Sequence, residues 1–147
     1  MQGYANLCVP LQYNLYSMKD LQRTTLCMEL AGLTHVNDSG LSNNVLASLM
    51  STTVNFSVYN MMVYLMACNR KLEILDLMEE PYYAESADDV HNIISTLLNK
   101  YKRKLSEMNS AIEITYTPPS KKQASLSINT LLSILKYFNC HINIINQ

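Results

Sequence analysis

Three glycines and four prolines are all that this chain of 147 residues offers for sharp turns, and that scarcity constrains its fold more than any other feature. An all-β sandwich needs a turn roughly every 8–12 residues, usually built on such residues. The sequence therefore predicts long elements, short connections and one domain over residues 1–147. The expected fold class is all-α, a single bundle of about six helices. No internal repeat and no linker is visible along the chain.

Apolar residues make up 48% of the chain, enough for a real core. Charged residues are only 16%, so Asn, Ser and Thr must supply much of the polar surface. Residues 1–10 read as an extended lead-in closed by Pro10. A helix is predicted over about 17–31, or from Leu11, with Gly32 placed to accept positive φ at its end. Asp38 or Ser39 is positioned to cap the next helix, whose stripe is Leu41, Val45, Leu49 and Thr53.

The long apolar run that follows reads as a central buried helix. Phe56, Tyr59, Met62 (or Val63) and Met66 have helical spacing, although Val54, Phe56 and Val58 also alternate as in a short strand. A further helix is expected through Leu72, Leu75 and Met78, ended by Pro81. Ser86 with Asp89 resembles a capping box, and Val90, Ile93, Leu97, Tyr101 and Leu105 continue that helix. AIEITYT, around residues 111–117, reads as a short strand or an extended connector, and PPSKKQ as an exposed loop. A last helix starts near Ser125 or Ser127 with Ile128, Leu131, Leu132, Leu135 and Phe138 on its apolar face. The tail CHINIINQ is apolar enough to pack.

No nucleophile motif, phosphate loop or paired metal-ligand spacing occurs, so neither enzyme activity nor a metal or other cofactor is expected. His35, His91 and His141 are isolated, and the acid-rich stretch from Glu73 to Asp89 reads as a solvated, helix-capping face. No run of 18 apolar residues and no leader-like N-terminus is seen, which predicts an intracellular chain without a transmembrane segment. Cys8, Cys27, Cys68 and Cys140 have no CxxC spacing and read as reduced, buried small hydrophobes.

Two features point to partners. Residues 1–99 hold 4 basic and 10 acidic side chains, whereas residues 100–147 hold 7 basic and 2 acidic ones. The basic excess centres on Lys100, Lys102, Arg103 and Lys104, with Lys121 and Lys122 beyond. This cluster suits an anionic partner, but a pI of about 6.3 disfavours nucleic acid. The second feature is methionine: nine in all, with Met50, Met61, Met62 and Met66 in the middle of the chain. Methionine fills irregular cores and also lines adaptable binding grooves. Tyr59, Met61, Met62 and Met66 are thus candidate partner-binding residues, with core filling as the competing role.

The series DDVHNIISTLLNKYKRKL, then AIEITYT, then SINTLLSILKYFNCHINII resembles the last helices of the poxvirus Bcl-like family, over residues 86–145. The Asn-Trp-Gly-Arg motif of the cellular and herpesviral relatives is absent, and the chain has no Trp. The resemblance implies a helical virulence factor of the host cytoplasm that binds host signalling or apoptosis-regulating proteins and dimerises through a helical face. The alternative is a self-associating structural or assembly subunit that uses the cluster at 100–104 on nucleic acid or another anionic surface.

Overall fold

Among the described residues helix α1 (Leu11–Ala31) comes first, followed by α2 (Asn43–Leu49) and α3 (Val58–Ala67). Strands β1 (Arg70–Leu75) and β2 (Pro81–Ala84) come next, then α4 (Ala87–Lys100), α5 (Leu105–Ile112), α6 (Ile128–Tyr137) and β3 (His141–Asn146). The structure, a computed structural model, describes residues 11–78, 80–118 and 126–147, with side chains from residue 21 onward. The lead-in at 1–10 and most of the PPSKKQ loop lie outside these residues.

The strands form one antiparallel sheet in the order β2-β1-β3. The fold is therefore α+β, which corrects the all-α expectation. The segment through Leu72 and Leu75 is strand, not helix. Leu72 and Ile74 alternate into the core, while Lys71 and Glu73 stand on the other face. PYYA pairs as β2, and the apolar tail packs as β3. Conversely, 111–117 holds no strand: α5 runs to Ile112, and Glu113 takes a left-handed φ of 56°. The helix from Ser86 does not continue to Leu105. It stops at Lys100, and Lys102 turns the chain at φ 54°.

Local chemistry explains most boundaries. Ser42, Ser57, Ser86 and Ser127 each cap a helix by accepting a backbone N–H three residues ahead. Asp38 and Ser39 do not cap α2; Asp38 instead accepts the Gly40 N–H at 2.9 Å. Asp89 reaches back to the Glu85 N–H rather than to that of Ser86 (2.9 Å). Gly32 closes α1 through bonds to Met28 and Glu29 carbonyls, without a positive φ.

A repeat missed along the sequence is plain in space. The unit α3–β1 recurs as α6–β3, with counterparts 70 positions apart. Ser57 and Ser127 face each other as a bridge, and each caps its helix. Val58 N–H donates to the Leu126 carbonyl and Ile128 N–H to the Phe56 carbonyl, both at 2.8 Å. Asn69 and Asn139 each turn helix into strand at φ 56° and 57°. In the β1–β3 ladder, Glu73 lies opposite its own counterpart, Asn143. A local two-fold axis therefore passes between the two units. Their helices supply the centre of the core, with Met61, Leu65, Leu131 and Leu135 fully buried. Helix α1 packs Leu26 and Leu30 on this centre, and the Leu30 carbonyl accepts the Tyr64 hydroxyl at 3.2 Å.

Candidate binding groove

Helix α3 is apolar on nearly every side, so the part of it not covered by β1 and α4 is left to meet something else. Its outer face carries Tyr59, Met62, Val63 and Met66 and floors a groove of about 360 Å³. One wall is the 37–39 loop, fixed because the Val36 and Asn37 N–H groups both donate to the Ala67 carbonyl at 2.8 Å. The other wall is the Glu85–Ala87 turn into α4, held by the Ser86 cap.

The four methionine-region candidates separate here. Tyr59 is 44% and Met66 43% exposed, and both line the groove. Met62 lines it with little exposed surface. Met61 points the other way into the core with none, so it takes the core-filling role. The rim is acidic: Asp38 and Glu85 line the groove, and Asp88 borders a small extension beside Tyr59. The loop and turn residues were not singled out in the sequence; Asp38 read as a helix cap and Glu85 as part of a solvated acidic face.

The basic cluster separates as well. Lys100 is engaged within the protein. Its ammonium donates to Asp76 and to Glu80 (2.7 Å), and this ion pairing raises its pKa well above the usual lysine range. Lys102, Arg103 and Lys104 are exposed in the turn between α4 and α5. Lys121 and Lys122 lie outside the described residues.

The Lys100 contact belongs to a structural knot. Asp76 is buried, contrary to a wholly solvated acidic stretch. One of its oxygens accepts the Met78 and Glu80 N–H groups at 2.9 and 3.0 Å, shaping the β1–β2 turn. The other accepts Lys100 and the Tyr101 hydroxyl (3.2 Å), tying that turn to the end of α4. Burial pushes the Asp76 carboxyl up. Hydrogen bonds from Lys100, Glu80 and Tyr101 outweigh this and hold it below its ordinary value.

His91 is also buried, with Nδ1 2.6 Å from the Tyr116 hydroxyl. Burial lowers its pKa, against a smaller opposing pull from Asp88. Cys27, Cys68 and Cys140 are buried free thiols, while Cys8 lies outside the described residues. Among the described residues no three His, Cys, Asp or Glu side chains converge as metal ligands. No helix there is long and apolar enough to cross a membrane.

No family model, no curated protein and no solved structure matches this chain.

Proposed function

We infer that the protein is a non-enzymatic interaction module that binds a partner in the groove on α3. The observation that supports this reading is the exposure of Tyr59 and Met66 above an apolar floor, beside carboxylates at Asp38, Glu85 and Asp88. Aromatic and Met side chains in a partly enclosed apolar site are typical anchors of binding energy. The acidic rim suits an apolar partner segment flanked by Lys or Arg, through charge complementarity that also speeds encounter.

The resemblance over residues 86–145 supports a host signalling or apoptosis-regulating protein as that partner, met in the host cytoplasm. Its implied helical bundle does not hold, because β1, β2 and β3 form an antiparallel sheet with β1 at its centre. The functional reading therefore leans on the groove.

The test is capture from host-cell lysate by wild type and by a Tyr59→Ala/Met66→Asp variant, with circular dichroism on both. A folded variant that loses one specific signalling or death-regulating protein supports the reading. Equal capture by both proteins, or no specific capture by wild type, overturns it.

A further inference from the structure

The two repeated units differ at one place. The outer edge of β1 is covered by β2, whereas the corresponding edge of β3 has no strand beside it among the described residues. The side chains record this difference. Leu72 and Ile74 are fully buried, but their counterparts Ile142 and Ile144 are only half-buried.

The direction of the free backbone groups follows from the register. Gln147 N–H donates to the Asn69 carbonyl at 3.3 Å, so the closely bonded pairs with β1 continue at Lys71/Ile145, Glu73/Asn143 and Leu75/His141. The peptide groups of Ile142, Ile144 and Asn146 must then face the open edge. On β1 the counterparts Leu72 and Ile74 bond to β2, in step with the bond from Asp76 N–H to the Glu80 carbonyl.

Edge strands are normally guarded by shortness, proline, charge or a bulge. The opposite edge of the sheet has such guards, because β2 is four residues long and begins with Pro81. β3 has six residues, HINIIN, with no Pro, Lys, Arg, Asp or Glu. A strand with no charge of either sign can lie antiparallel to itself without opposing like charges. It therefore meets the self-complementarity that a two-fold contact requires.

We propose that β3 pairs antiparallel with β3 of a second copy, about a two-fold axis at Ile144, joining the two sheets into one. Ile144 then bonds to Ile144 of the second copy, and Ile142 to Asn146. Asn143 lies beside Ile145 in the intervening non-bonded pair. A single strand pair buries less than the roughly 1,200–2,000 Å² of a stable interface, so the dimer dissociates on dilution.

Light scattering across a concentration series tests this. Wild type is expected to dimerise reversibly. Ile144→Pro removes an outward N–H without touching the β1 ladder. It should weaken the dimer by roughly ten- to thirty-fold, the loss of two hydrogen bonds. A second measurement stands if that variant misfolds: Asn143→Cys and Ile145→Cys proteins, mixed under mild oxidation, should form the mixed disulfide in preference to either like pair. A monomer at every concentration, a dimer indifferent to Ile144→Pro, or no preference for the mixed disulfide overturns the proposal. Each result is read from substitutions in β3, none of which lines the α3 groove.

Discussion

Asn143 donates through Nδ2 to the Glu73 carboxylate at 3.2 Å, so two residues that occupy the same place in successive units meet across the axis relating them. This pair sets the register of β1 on β3. A slip by one residue would turn Leu72 and Ile74 out of the core and bring Lys71 and Glu73 in. The symmetric hydrogen bonds at Val58 and Ile128 fix the other end of the same axis. The groove and the open strand edge both derive from this frame. The groove is the part of α3 left uncovered, and the edge is the side of β3 without a counterpart to β2.

Asn69 and Asn139 occupy the left-handed region at the same point of each unit, which Asn tolerates better than most residues. Ala at either position is expected to cost about 1–2 kcal/mol, and Gly to be near neutral. Urea unfolding of the four single variants checks this. Unequal costs at the two sites would show that the units are not energetically equivalent.

These asparagines also show what was legible in the sequence. Each ends a helical pattern and begins an alternating one, R-K-L-E-I-L or H-I-N-I-I-N. Read with helical spacing, Leu72, Leu75 and Met78 hid the first strand. Read with period two, Leu72 and Ile74 reveal it. The repeat was harder to see, since over residues 56–75 and 126–145 only Ser57/Ser127, Leu65/Leu135, Asn69/Asn139 and Ile74/Ile144 are identical. What persists is apolar character, as in Met61/Leu131 and Met62/Leu132, and burial needs no more than that. Ser86, Ser127 and the stripe on α6 were readable because capping and helical spacing are local. The groove walls were not, because the 37–39 loop reaches α3 only through tertiary hydrogen bonds to Ala67.

Asp76 should make the fold acid-sensitive. Its folded pKa lies below the unfolded value of about 3.9, so the folded state binds fewer protons. Its contribution is complete above that value and is lost as pH falls through the folded pKa. Asp76→Ala should cost about 3 kcal/mol at neutral pH, since it strips partners from the hairpin turn and from Lys100. Thermal unfolding at pH 7 and pH 3 should show the wild-type advantage shrinking at the lower pH.

His91 acts in a separate window. Burial lowers its pKa in the fold, which therefore disfavours the protonated form that the unfolded chain takes up below about 6.5. Stability should therefore fall as pH drops from about 6.5 toward the lowered folded pKa, by at most about 1.4 kcal/mol per pH unit. His91→Gln keeps a hydrogen-bonding group near Tyr116 but cannot titrate. Denaturant unfolding at pH 7.5 and 5.5 should show this pH dependence for wild type, and less of it for the variant.

Met61 and Met66 sit on opposite sides of one helix, so the same substitution should act on different properties. Met61 is fully buried, and Met61→Ala removes core contacts at a cost of about 2–5 kcal/mol. Met66 is 43% exposed at the groove, and Met66→Ala should shift stability by about 0.5 kcal/mol or less. Binding should show the reverse order. With both variants held at a temperature where each is folded, Met66→Ala should weaken the partner and Met61→Ala should leave it bound. Measuring Tm and partner capture on the same two proteins separates core from groove. If both variants lose stability but neither loses binding, the α3 face is only an incompletely covered part of the core.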